Sequence, residues 1–195
     1  MRVDDKELKI PPTDLLRKEL EREEFKYRFR KTLLNMAGGL TVTAAIAVLI
    51  ATRLLILVQV NGVSMDPTLR EDDVLFLYQT KEVKVGDVIG FYYGGRVLLK
   101  RVIAGSEDYI EIDKEGNVYV NDEKLEEPYL TEQSVGKCEL DFPYQVPEGM
   151  FFVLGDNREV SMDSRIKAIG CVEKDQIVGK VVFRAWPPAR MGIMH

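Results

Sequence analysis

The sequence predicts a mainly β protein, with a single N-terminal transmembrane helix followed by an antiparallel, β-rich domain. Three features predict it. Residues 32–52 carry no charge over a length that crosses the apolar core of a bilayer as a helix. Beyond Arg53 the pattern changes to short β-branched and aromatic runs divided by turn residues. Between two of those runs stands Gly94-Gly95, the pair that a two-residue primed turn requires, so the flanking strands should form a hairpin.

The first element expected is a charged helix within residues 1–31, beginning after the Pro11-Pro12 break with Thr13 or Asp14 as its cap. A membrane span over 32–53 follows. Its apolar run is longer than the h-region of a cleavable leader, and the charged segment in front exceeds an ordinary n-region. Arg17, Lys18, Arg22, Lys26, Arg28, Arg30 and Lys31 precede the span, whereas Arg53 is nearly alone behind it. The positive-inside rule then puts the N-terminus in the cytoplasm and the domain 54–195 outside the cell membrane. Strands are predicted over 54–60, 73–79, 87–93, 96–103, 108–113, 117–121, 150–155 and 177–186, with Glu115-Gly116 marking a further turn. Segment 122–149 begins with dense charge and little periodicity, so it reads as an irregular insertion.

Composition narrows the function classes. With 46% hydrophobic and 30% charged residues the chain is globular rather than disordered. The formal net charge is −5, and the acidic excess lies behind residue 31, which argues against nucleic acid as a partner. The 2 cysteines, Cys138 and Cys171, lack the spacing of a zinc or redox site; separate thiols and one disulfide both remain open. The sole histidine is the terminal His195. That removes histidine-based triads, dyads and metal sites, so any chemistry must run on Ser, Lys, Asp, Glu or Tyr, without a cofactor.

Three places could carry such chemistry. Ser64 sits in NGVSMDPTL, where Gly62 allows a sharp bend and Pro67 ends regular pairing; alone, it is a turn serine. Lys100 lies in RVLLKRVI (96–103), a run apolar on both faces, which should embed either Lys100 or Arg101 among apolar side chains. Burial lowers a lysine's pKa far more readily than an arginine's, and a neutral amine can serve as general base to a serine. The alternative is a lysine that snorkels or pairs with a carboxylate. The third place is GDNREVSMDSR (155–165), dense enough in Asp, Arg and Ser for a hydrogen-bonded loop, or simply a solvated one.

Taken together, GVSMDPTL, GDVIGF (86–91), KRVI (100–103), GDNREVSMDSR and the closing GKVVFRAWP (179–187) resemble, in order and behind a membrane span, the boxes of bacterial type I signal peptidases. The short chain with one span is similar to the Gram-positive form. The resemblance implies a serine endopeptidase of the cell membrane that cuts preproteins after small residues in A-x-A-like sites, with preproteins and the lipid bilayer as partners. It implies Ser64 as nucleophile and Lys100 as base, Ser161 hydrogen-bonded to the lysine amine, Asp163 and Arg165 as a supporting ion pair, and Asp156 holding the loop. Two departures stand out. Gly62 occupies a position where some members carry an oxyanion-binding serine, which leaves the backbone N–H of Ser64 as the identifiable donor. AGSED (104–108) replaces the usual G-x-P-G-D turn. A self-cleaving LexA-like repressor shares such a dyad but needs a DNA-binding N-terminal domain, and a non-enzymatic tethered β-domain would not need both Ser64 and Lys100.

Overall fold

A computed structural model of the chain describes residues 12–194; residues 1–11, the front of the charged segment with Pro11, and His195 lie outside the described residues. The chain divides into two compact units with the boundary between Ala51 and Thr52. What is described of the first is helical and belongs to α1 (Thr13–Leu54, 42 residues). It is long and apolar enough to cross a membrane, and its apolar side chains, among them Leu33, Leu40 and Ile46, are exposed. The Pro12 carbonyl already accepts from the Leu15 and Leu16 amides, so Thr13 begins the helix rather than capping it. The threonines that dilute the apolar run are satisfied within the helix: Thr41 Oγ1 donates to the Ala37 carbonyl at 2.9 Å and Thr43 Oγ1 to that of Leu40 at 3.0 Å. The hydroxyls of Thr41 and Thr43 then do not oppose burial in lipid.

The second unit is built of antiparallel strands. In chain order they are β1 (Leu55–Gln59), β2 (Val74–Tyr78), β3 (Val88–Tyr93), β4 (Arg96–Ala104), β5 (Tyr109–Ile112), β6 (Val118–Val120), β7 (Glu123–Lys124), β8 (Tyr144–Gln145), β9 (Met150–Leu154), β10 (Val172–Glu173), β11 (Ile177–Trp186) and β12 (Gly192–Ile193). The larger sheet has the order β1-β2-β11-β3-β4-β9-β10, with β12 paired to β11; the smaller has the order β7-β6-β5-β8. Each of the eight expected strands is present within a residue or two. Gly94 and Gly95, at φ 57° and 77°, close the β3–β4 hairpin where Tyr93 pairs with Arg96.

The continuous apolar runs follow from burial of the larger sheet on both faces. Leu75, Leu77, Val88, Leu99 and Val181 belong to one cluster, while Ile89, Phe91, Val102 and Val153 form another, so neighbouring residues of one strand face different clusters. A third cluster joins the sheets through Ile103, Phe152 and Leu154 with Ile110, Ile112 and Val118. Segment 122–149 is less irregular than expected. It supplies β7 and β8, the flanks of the smaller sheet, and packs Leu125, Leu140 and Phe142 on the third cluster. Two-residue strands leave too little alternation to be read in sequence.

Candidate active site

The turn that carries Ser64 is fixed from below. Met65 and Leu69, 1% and 0% exposed, sink into the first cluster, and the Leu69 amide donates to the Met65 carbonyl at 2.8 Å. Each such burial contributes about 1.5–3 kcal/mol, which pins the turn while leaving Ser64 accessible. Gly62 enters the turn at φ 91°, a conformation that side chains rarely adopt.

Lys100 projects from β4 with only 3% of its surface exposed, and its Nζ donates to Ser64 Oγ at 2.8 Å and to the Leu99 carbonyl at 3.0 Å. Burial pushes the amine down from 10.5 to about 8. Asp163 and Asp156 oppose that fall, and the Arg165 charge adds to it. The expectation that one of the two β4 cations is embedded falls short, because Arg101 is also buried, at 5% exposed. Its charge is met by Asp156 in a bidentate pair, Nε to Oδ1 at 2.9 Å and Nη2 to Oδ2 at 2.6 Å. Asp156 thereby ties the 155–165 loop to the strand that bears Lys100.

The loop itself is buried rather than solvated. Asp163 and Arg165, each 0% exposed, pair through Nε to Oδ1 and Nη2 to Oδ2, both at 2.8 Å. Asp163 Oδ2 also accepts from the Gly155 amide, and the Asn157 amide donates to the Ser64 carbonyl at 3.1 Å, so the loop grips the Ser64 turn directly. Gly155 is needed for this approach: a Cβ there would lie 2.1 Å from Ser161 Oγ and 2.4 Å from the Ser64 carbonyl oxygen. The expected bond between Ser161 and Lys100 is not made. Ser161 Oγ is buried without a hydrogen-bond partner, while the amine is directed at Ser64 and Leu99.

Two contributors were invisible in the sequence because they lie in the insertion: Glu127 forms a buried ion pair with Arg158, and the Tyr129 ring lies 3.8 Å from the Arg101 guanidinium. Cys138 and Cys171 are free thiols; burial pushes the Cys171 thiol up. Among the described residues no three His, Cys, Asp or Glu side chains converge as metal ligands do.

A serine and a desolvated amine in contact, backed by buried ion pairs, is an arrangement suited to nucleophilic attack. Residues 33–186 match the family described as signal peptidase, peptidase S26. The chain belongs to that family. Signal peptidase I of Bacillus licheniformis is 34% identical to it over 183 residues, 85% of this chain and 95% of the relative. Signal peptidase IB of Staphylococcus aureus is 35% identical over 178 residues, 81% of this chain and 92% of the relative. A crystal structure of a signal peptidase I from Enterococcus faecalis V583 aligns with 29% identity and a TM-score of 0.42, covering 51% of this chain and 96% of that one. As a signal peptidase the chain is a hydrolase, and its N-terminal helix is consistent with the membrane setting in which signal peptidases meet preproteins.

Proposed function

We propose that the chain is a membrane-bound serine endopeptidase that removes signal peptides after small residues, with Ser64 as nucleophile and Lys100 as general base. What carries the reading is the contact of a nearly inaccessible Lys100 amine with Ser64 Oγ, 2.8 Å away. Once the amine is neutral, the Ser64 hydroxyl donates to its lone pair, and Lys100 takes the proton as Oγ attacks the scissile carbonyl. The developing oxyanion is stabilised by the Ser64 backbone N–H. Collapse of the tetrahedral intermediate breaks the C–N bond, Lys100 returns its proton to the leaving amine, and an ester forms on Ser64. Lys100 then takes a proton from water as the water attacks the ester, and passes that proton to Ser64 Oγ as the C–O bond breaks, which frees the signal peptide with a carboxyl end and restores Ser64 and the neutral amine. Ser161 is assigned to orient the lysine as it moves through these steps; its unpartnered buried hydroxyl has hydrogen-bonding capacity to give. Asp163 with Arg165, and Asp156 with Arg101, keep the loop and β4 in register.

In this reading residues 1–31 are cytoplasmic, 32–53 cross the membrane, and 54–195 work outside, where the cleavage site of a preprotein emerges. A peptide with alanine at the first and third positions before the cut should be cleaved well. Phenylalanine at either position should lower kcat/KM by about a hundredfold or more, since a clash in a closed pocket costs several kcal/mol. Equal rates for the two peptides would contradict the small-residue specificity.

The ionisation of Lys100 gives two further expectations. Because the base must be neutral, kcat/KM should rise through an apparent pKa of about 8 and level off above it. The folded state also holds fewer protons than the unfolded one between about 8 and 10.5, so this group favours folding increasingly as pH rises through that window. Below it the buried amine costs at most about 3 kcal/mol. Lys100→Met should therefore melt higher than wild type at pH 7, with the gain gone by pH 10.5. Thermal denaturation at the two pH values checks this, and a variant that is less stable at both contradicts it.

A further inference from the structure

The buried contacts of segment 122–149 link the strand of Lys100 to the loop that packs against Ser64. Arg101 follows Lys100 in β4, and its guanidinium is held at one edge by Asp156 and on one face by the Tyr129 ring, 3.8 Å away. Tyr129 Oη donates to Glu127 Oε1 at 2.8 Å, and Glu127 accepts from both terminal nitrogens of Arg158. The Glu127 and Arg158 side chains are 1% and 2% exposed. Arg158 Nε in turn donates to the carbonyl of Gly155, the residue packed against the Ser64 carbonyl. The path thus begins one residue from Lys100 and ends at Gly155, which packs against the Ser64 turn. It is bridged by two side chains from a segment that none of the resembling motifs includes. Thr131 and Ser134, just beyond Tyr129, help wall a cavity of about 690 Å³ beside Asp66 and Pro67, so the same stretch also borders the Ser64 turn.

Resting on the reading of Ser64 and Lys100 as the reacting pair, we propose that Glu127 and Tyr129 are positioning residues. They clamp Arg101 and Arg158 so that the Lys100 amine stays dry and aligned on Ser64. An isolated buried carboxylate would be costly, so Glu127 is kept only by the Arg158 pair and the Tyr129 hydroxyl. Burial and the Glu127 charge hold the Tyr129 phenol well above its ordinary ionisation, so it remains a donor. The charged groups acting on Lys100 are Asp163, Asp156 and Arg165. Opening the clamp acts on this balance in one direction only. Water reaching the site removes part of the desolvation, and an Arg101 that drifts away leaves Asp156 uncompensated. Both raise the pKa of the amine.

The test is the pH dependence of kcat and KM for the full chain in detergent micelles, on the alanine-containing peptide. Tyr129→Leu should move the acid limb up by about one pH unit. That lowers kcat about tenfold at pH 7 with KM little changed, and activity returns at alkaline pH. Glu127→Gln should shift the limb in the same direction and carries the test if Tyr129→Leu does not fold. Ile177→Ala, in the cluster of Ile89 and Phe91, which takes no residue from segment 122–149, should lower the melting temperature and leave the limb in place. The proposal is overturned if Tyr129→Leu and Glu127→Gln lose stability as Ile177→Ala does while the limb stays at its wild-type position, or if their whole loss is in KM. Failure of the underlying dyad reading is separately recognisable, because Ser64→Ala would then cleave as fast as wild type.

Discussion

Ser64→Ala and Lys100→Met should each lower the rate of cleavage of the alanine-containing peptide by at least about 10²–10⁴-fold. General-base assistance alone is worth about 10²–10⁴ in rate, and removing the nucleophile abolishes the covalent route altogether. Because the two groups act as a unit, the double variant should be no slower than either single one. Loss of fold is not a competing explanation for the lysine variant, which is expected to be the more stable protein at pH 7. The peptide assay, with circular dichroism on the same samples, checks both points. Equal rates in wild type and the two variants would leave a membrane-tethered binding domain as the better description.

Arg165→Leu should cost about 3–5 kcal/mol of stability and silence the enzyme as well. Arg165 is fully buried and donates to Asp163, to the Arg158 carbonyl at 2.9 Å and to the carbonyl of Val135. Its removal leaves the Asp163 carboxylate, also 0% exposed, with the backbone amides of Gly155 and residue 165 but without its paired guanidinium. An uncompensated buried charge is far more costly than the pair it came from. The same change frees segments 135 and 158–161 from one another, and with them the loop that grips Ser64. Adding Asp163→Asn should recover much of the stability and little of the activity, since the neutral amide no longer needs the cation but the loop stays untied. Denaturant midpoints for the single and double variants, read beside the peptide assay, test this; a single variant within 1 kcal/mol of wild type would show that solvent reaches Asp163 after all.

The strands were legible because their burial is regular. Strand β4 is apolar on both faces since the larger sheet is covered on both, and Gly94-Gly95 dictates its hairpin partner. The anchor was legible by length and lack of charge alone. Lys100 stood out as a cation inside such a strand, but sequence gave no means of choosing between it and Arg101, and both are buried. The reason both are tolerated lies elsewhere in the chain. Arg101 is matched by Asp156, 55 residues on, and by a tyrosine in a segment whose charges suggested solvent. Glu127 lies in the charge-dense start of that insertion, where nothing in the sequence marks it for burial against Arg158. Ser161 shows the opposite limit. The motif it sits in suggested a partner, whereas the folded loop leaves its hydroxyl buried with none.

The direct measurement is the titration of the Lys100 side chain itself, by NMR of protein carrying carbon-13 at lysine Cε, with the Lys100→Met spectrum to assign the resonance. An amine that titrates near 8 is the predicted result. One that stays protonated up to the ordinary value of 10.5 would mean that position 100 is a charged structural lysine, and it would contradict the account.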